Sequence, residues 1–378
     1  MGETAKSTGP KRYSTLQWND MSQPLVDLTV AVHARTRPIL GAVASVVDHN
    51  SAHVRVNVVA HNIEPEIIRQ NLGAYGSDSR VRLLSLRDGI PSPAGPFNYG
   101  LDHSTARFVS VMGSDDELEP GAVDSWLRLQ QSTGAAVVIA RIRHAGGATV
   151  ASPPVRLYRR RNLDPVKDRL SYRSAPLGLI SREAFGDVRF SEGLSSGEDV
   201  PYATRLWFSG NGIAFDTTGP SYLVHDEADD RVTSEPRSVQ EDFEFLDKIF
   251  DDPWFRRFDK RQRRALVVKL LRTHLFDAVL NRSNNPEWVH GERDELAAIT
   301  VRILAWANHP ERVLSRIDRR ALKAILDPDV SIAELLALIK SRWNYRSPAA
   351  ILTKNPLYLL HRQAPLRTFA AGYLVTRP

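Results

Sequence analysis

The chain has 378 residues, 42% hydrophobic and 25% charged, enough to bury a large core and better suited to two domains than to one. It has no cysteine, which excludes disulfides, thiolate metal sites and cysteine nucleophiles together. The net charge of +6 is uneven: residues 341–378 hold Arg342, Arg346, Lys354, Arg362, Arg367 and Arg377 and no acid, so this tail alone equals the whole excess.

The remainder is close to neutral, so nucleic acid is not expected as a partner. In the tail the basic residues are interleaved with Trp343, Tyr345, Tyr358, Phe369 and Tyr373. That suits an anionic membrane surface, and equally a packed helical tail with solvated arginines. Apolar runs such as Ala135 to Ala140 fall far short of the roughly 20 residues that a spanning helix needs. Lys6, Lys11 and Arg12 have no apolar stretch after them, so the layout of a secretory signal is missing. The expectation is a cytoplasmic protein, disordered over residues 1–25, with a tail suited to peripheral attachment at the inner face of the membrane.

From Asp27 short β-branched runs alternate with longer amphipathic ones, the signature of an α/β fold. Strands are predicted at Leu28–Val32, Val54–Ala60, Val81–Leu86, Arg107–Met112 and Ala136–Ile142, in a mostly parallel sheet. The flanking helices are predicted at Pro38–Asp48, Glu64–Leu72 and Glu119–Gln131, the last with Pro120 near its start. Between Ser152 and Thr233 short strands and turns surround one helix, Glu198–Phe208, capped by Ser195 or Ser196. A turn at Val232-Thr233 then leads into a mainly helical C-terminal region. Its helices are expected at Val239–Phe250, Lys260–Asn281, Glu292–Ala307, Arg319–Leu326 and Ile332–Lys340, the last opened by a Ser331 and Glu334 capping box. The domains are accordingly 26–234 and 235–378.

Ligands of open parallel sheets bind beyond the carboxyl ends of the strands. The first such end, Ala31 to Arg37, lacks the glycine patterns of dinucleotide and P-loop sites. The strand ending at Met112 runs into Ser114-Asp115-Asp116-Glu117. Carboxylates crowded into one turn repel each other unless a cation neutralises them. Hard oxygen ligands suit Mg²⁺ or Mn²⁺, which keep positions open for substrate phosphates. Acids matched to a helix dipole would read the same way.

Phe97-Asn98-Tyr99-Gly100-Leu101 and then Ala106 to Ala122 resemble the family 2 inverting glycosyltransferases of the GT-A fold, of the type that acts on bacterial cell-surface glycans. A second block, Gly178 to Phe185 with Gly197-Glu198-Asp199-Val200-Pro201-Tyr202, resembles that family's acceptor side. A third is Tyr222-Leu223-Val224-His225. The resemblance covers about residues 27–233 and implies a GT-A-like sheet with flanking helices ahead of the helical region. It also implies metal-dependent, inverting transfer of a sugar from a nucleotide-diphosphate donor to a hydroxyl of a glycan or polyol-phosphate acceptor. On it, Asp115, Asp116 and His225 hold Mn²⁺ or Mg²⁺, Ser114, Asp115 and Asn98 belong to the donor site, and Asp199 with Glu198 supplies the general base. A first-turn aspartate is expected to stay ionised beside the helix dipole, although the pair could simply cap its helix.

His33, Arg35, His61 and Asn62, at neighbouring strand ends, are the candidates for nucleotide contacts. Three positions depart from the family pattern: Gly113 replaces the first acid of the motif, His61-Asn62 an aspartate pair, and Phe97 an arginine. The rival readings are a catalytically inert GT-A-fold binding or scaffold protein, and a nucleotidyltransferase. The latter lacks glycines around Ala34-Arg35-Thr36-Arg37.

Overall fold

The computed structural model describes residues 23–51, 53–225, 237–283 and 291–376. The segment expected to be disordered lies outside them up to residue 22, as does the turn expected at Val232-Thr233. The first half runs β1 (Val26–Val32), α1 (Ile39–Val47), β2 (Val54–His61), α2 (Pro65–Asn71), β3 (Val81–Leu86), α3 (Ala94–Asp102) and β4 (Phe108–Gly113). It continues with β5 (Glu117–Leu118), α4 (Ala122–Thr133), β6 (Val137–Ile139), β7 (Ile142–His144), β8 (Gly178–Ser181), α5 (Arg182–Phe185), α6 (Asp199–Phe208), β9 (Ile213–Phe215) and β10 (Tyr222–Val224).

Seven strands form one sheet in the order β3-β2-β1-β4-β8-β6-β9. Its neighbours are parallel except where β8 runs against β4 and β6. Because β1 and β4 are buried along almost their whole length, they read as continuous apolar runs rather than alternating ones. A second sheet, β5-β10-β7, lies just past the end of β4.

Two expected elements differ for tertiary reasons. The strand expected over Ala136–Ile142 is split between the two sheets. Ala140 leaves the ladder by donating its N–H to Leu177 and accepting at its carbonyl from the buried Arg173 guanidinium, at 3.0 Å each. The helix expected from Glu119 starts at Ala122, because Glu117 and Leu118 pair with β10 and Gly121, at φ +79°, opens the helix. Pro120 therefore stands before the helix. Neither Ser195 nor Ser196 caps α6; Glu198 occupies that place without a side-chain cap bond.

The C-terminal region contains α7 (Val239–Phe243), α8 (Phe245–Phe250), α9 (Pro253–Arg256), α10 (Lys260–Lys269), a π-helical turn at Leu270–Leu275 and α11 (Phe276–Asn281). It ends with α12 (Glu292–Ala305), α13 (Arg316–Leu326), α14 (Ile332–Ser341), α15 (Pro348–Ile351) and α16 (Pro365–Val375). It shares its core with the sheet. One apolar cluster passes from Val109, Val137 and Ile180 on the strands through Trp207 of α6 to Phe245, Leu266, Phe276 and Leu322. The other sheet face packs on α1 and α4, through Val30, Val58, Val46 and Trp126.

Asp27 ties β1 to its neighbours. Its fully buried carboxylate accepts from Arg55 at 2.7 and 2.9 Å and from the backbone N–H groups of Thr105 and Ala106 at 2.7 and 2.8 Å. Removing one partner of such a pair leaves a charge and two amide donors uncompensated in the interior. Asp27→Ala is expected to cost about 3–5 kcal/mol of unfolding free energy; urea denaturation checks it, and a loss below 1 kcal/mol contradicts the assignment.

Candidate active site

A cavity of about 660 Å³ opens at the carboxyl ends of β1, β2 and β4, the region where open sheets take ligands. Its wall includes Phe97 and Leu177; its polar groups include His33, Arg37, His61, Ser114 and the pair Asp115 and Asp116. The first acid is matched by Arg37, whose Nη1 donates to Asp115 Oδ2 at 2.7 Å, with the two side chains only 6% and 14% exposed. The second is held by Tyr222, whose hydroxyl donates to Asp116 Oδ2 at 2.6 Å and accepts from the Gly113 N–H at 3.0 Å. Burial, and then the charge of Asp116, hold the Tyr222 phenol well above its ordinary pKa, so it stays a donor. The His225 N–H donates to Asp116 Oδ1 at 3.2 Å, while its imidazole Nε2 lies 3.7 Å from the Glu117 carboxylate.

Gly113 has a geometric reason. A Cβ there would stand 2.7 Å from Asp116 Oδ2 and 3.0 Å from Asp115 Oδ1, so both carboxylates fold over the space a side chain would fill. They present converging hard oxygens, the donor chemistry that suits Mg²⁺ or Mn²⁺. Among the described residues no group of three or more His, Asp or Glu is arranged to hold a metal. Two carboxylates without a closed cage fit an ion whose remaining positions go to substrate phosphates and water.

At the end of β2, His61 Nε2 lies 2.8 Å from Asp88 Oδ1. Asn62, in the left-handed region at φ 56°, donates to Asp88 Oδ1 at 3.2 Å and accepts from the Asp88 and Gly89 N–H groups. Burial alone would push the Asp88 carboxyl up, but the Ile90 N–H, His61 and Asn62 hold it below its usual value. An acid two residues past β3 thus stands against the positions where the sequence has His61-Asn62.

Phe97 in the cavity wall lies 5.3 Å from the Phe190 ring, which stacks on Tyr202 of α6 at 4.1 Å. Glu198 and Asp199, at the start of that helix, are half-buried and do not line the cavity itself. Burial, followed by the neighbouring Asp199, pushes the Glu198 carboxyl up to about 7. Burial also raises Asp199, against the opposing effects of Lys269 and of its own backbone N–H. The helix start alone therefore does not keep Asp199 at its ordinary acidity; desolvation outweighs it.

Residues 30–189 match the family model described as glycosyl transferase family 2. Over that segment, from β1 to just past α5, the chain is similar to the family 2 glycosyltransferases. Among solved structures it is similar to S. aureus TarS 1-349 in complex with UDP-GlcNAc, at 14% identity and a TM-score of 0.67, over 84% of this chain and 90% of that one. The same S. aureus protein in complex with UDP matches at 14% identity and a TM-score of 0.63, with the same coverage. These likenesses establish the GT-A fold. A comparison with the curated proteins finds no match.

Within the matched segment, the structure brings His33, His61, Asn62, Ser114, Asp115 and Asp116 to one cavity. It places two donor candidates elsewhere. Arg35 is exposed and away from the cavity lining, its carbonyl accepting from Asn71 at 2.8 Å. The Asn98 amide is taken up by the Phe190 backbone and by Glu192 at 2.8 Å. Sequence reasoning passed over Arg37, Tyr222 and Asp88. Arg37 stands two positions from Arg35 in the loop after β1, and Tyr222 opens the segment ending at His225; Asp88 carried no local signal. Tyr222→Phe would leave the Gly113 N–H and Asp116 without their shared hydroxyl. A loss of about 1–3 kcal/mol in unfolding free energy is expected, read by chemical denaturation; unchanged stability would discount that hydroxyl bridge.

Proposed function

We propose that this glycosyltransferase is metal-dependent and inverting, and that it moves a sugar from a nucleotide-diphosphate donor to a hydroxyl of a glycan or polyol-phosphate acceptor of a bacterial cell-surface polymer. The observation that carries the reading is the pair of carboxylates, Asp115 and Asp116, converging over Gly113 inside the cavity at the strand ends. UDP-GlcNAc is the first donor to try, because the solved S. aureus relative is in complex with it.

In this mechanism the acceptor oxygen attacks the anomeric carbon as the bond from that carbon to the diphosphate oxygen breaks. The electron pair leaves with the diphosphate, and a single displacement inverts the centre. The acceptor's proton passes to the Asp199 carboxylate, whose raised pKa makes it a stronger base than an exposed aspartate. Asp115 and Asp116 would hold Mn²⁺ or Mg²⁺, with His225 beside them through its N–H to Asp116. When bound, the ion supplies Lewis-acid stabilisation of charge on the leaving diphosphate. His33, His61 and Ser114 line the remainder of the donor cavity.

The Arg37 ion pair to Asp115 favours a second reading, in which the arginine itself meets the diphosphate and no divalent ion is needed. Thermal stabilisation by UDP-GlcNAc with and without Mn²⁺ separates the two. Mn²⁺-dependent stabilisation that disappears in Asp115→Ala supports the metal; stabilisation that survives EDTA and disappears in Arg37→Met selects the arginine. Asp199→Asn should keep donor stabilisation and lose sugar transfer by at least about a hundredfold, and retained turnover removes Asp199 from the mechanism. No stabilisation by any of a broad panel of nucleotide sugars sinks the transferase reading.

Among the described residues no helix is long and apolar enough to cross a membrane. We place the protein peripherally on an anionic inner membrane face through its tail. There Trp343, Leu357, Leu360, Phe369 and Tyr373 are exposed among the exposed Arg346, Lys354, Arg362 and Arg367. Deleting the tail is a poor test, because Arg342 bonds the buried Asp318 at 2.7 Å. Charge reversal of Arg346, Lys354 and Arg362 to Glu should weaken association with phosphatidylglycerol vesicles by about 1 kcal/mol for each charge lost, in co-sedimentation at low salt. Unchanged association would leave the tail a packing element only.

A further inference from the structure

The proposed base lies against the helical region, and one lysine there has no surface role. Lys269 ends α10, where the helix changes to the π-helical turn Leu270–Leu275, and its side chain is buried with 1% exposure. Single π-helical turns inside α-helices interrupt the regular ladder and are frequent at functional sites. Contacts lead from this turn to the start of α6. Lys269 Nζ donates to His274 Nε2, the His274 ring packs on Phe245 with centroids 5.1 Å apart, and Phe245 closes over Gly197. Gly197 sits at φ +73°, and a Cβ there would come within 2.5 Å of the Phe245 ring, so only glycine lets the ring approach. The next two residues are Glu198 and Asp199.

A buried ammonium is costly unless carboxylates face it. Burial lowers Lys269 to about 8, opposed by Asp199 and then Asp277, and Lys269 in turn counteracts the rise of both acids. Burial, then Lys269, drives His274 far below its usual value, so its ring is neutral and free to accept from the ammonium. The charged and titratable groups around Asp199 are its neighbour Glu198, Arg237 acting on Glu198, Lys269, His274, and Asp277 with Arg342 behind it.

We infer that Lys269 is a positioning residue for the sugar transfer: from the end of α10, where the π-helical turn begins, it favours the ionised form of the Asp199 carboxylate that accepts the acceptor's proton, so the helical region completes the acceptor half of the site. This rests on reading Asp199 as the base, and it gives the π-helical turn and the buried lysine one shared role.

The test has two readouts. First, urea midpoints are measured for the full chain, Lys269→Met, Asp199→Asn and the double variant at pH 7.5. Coupling is expected: Lys269→Met is less favourable beside Asp199 than beside asparagine, and equal midpoint shifts in both backgrounds overturn the proposal. Second, the pH dependence of kcat/KM is followed with UDP-GlcNAc, using water or a glycan as acceptor. Removing a cation beside a carboxylate raises its pKa, so in Lys269→Met the acid limb moves to higher pH. Each unit of movement is a tenfold loss of rate below that limb. A limb that stays in place while turnover is otherwise normal overturns the positioning role. Turnover that survives Asp199→Asn overturns the underlying base assignment instead, and the midpoint cycle reports on the pair independently of it.

Discussion

Two adjacent carboxylates at the mouth of a largely apolar cavity set the terms for the rest of the site. Side by side and partly desolvated, Asp115 and Asp116 repel each other unless positive charge or donors reach them. Each is answered from a different part of the chain: Arg37 from the loop after β1, Tyr222 and the His225 N–H from β10 and its end. The small sheet follows from the same need. Pairing of β10 with β5 immediately after the acidic turn brings Tyr222 under Asp116 and Gly113. Gly113 belongs to this arrangement, since the carboxylates occupy the space of its missing side chain.

The helical region is bound to the sheet by more than apolar contact. Beside the shared core, Asp318 receives Arg272 at 3.3 Å and Arg342 at 2.7 Å, with all three side chains under 10% exposed. Arg272 continues to the Tyr172 hydroxyl and the Gln363 carbonyl, joining the α10 to α11 segment to residues before β8 and to the tail. Such buried ion pairs offer little net stability but make misplacement expensive, because a broken pair leaves a charge without solvent. That rigidity suits a region carrying Lys269 against the start of α6.

Much of the fold was legible in the sequence. The strands β1 to β4 and helices α1 and α2 stand where the apolar runs and helical periodicities put them, because buried parallel strands advertise themselves as unbroken β-branched runs. Two of the elements that shifted have limits set by a distant partner. Ala140 leaves its strand for Arg173 and Leu177, and Glu117 and Leu118 are taken from a helix by β10. The helix expected through Lys260–Asn281 keeps its span but carries the π-helical turn, which no residue type announces.

In the site the same division holds. Adjacency alone marked Asp115 and Asp116 as a pair needing compensation, and the order of residues around them carried the family. Which group compensates them was not readable. Arg35 and Arg37 are the same residue type two positions apart, yet only Arg37 turns into the cavity. Asp88 is a single acid in a loop until the β2 to β3 register sets it against His61 and Asn62. Local chemistry is written in neighbouring residues, so the sequence determined strands, turn and acidic pair; neutralisation and burial are relations between distant segments, so only the tertiary structure decided Arg37, Tyr222, Asp88 and Lys269.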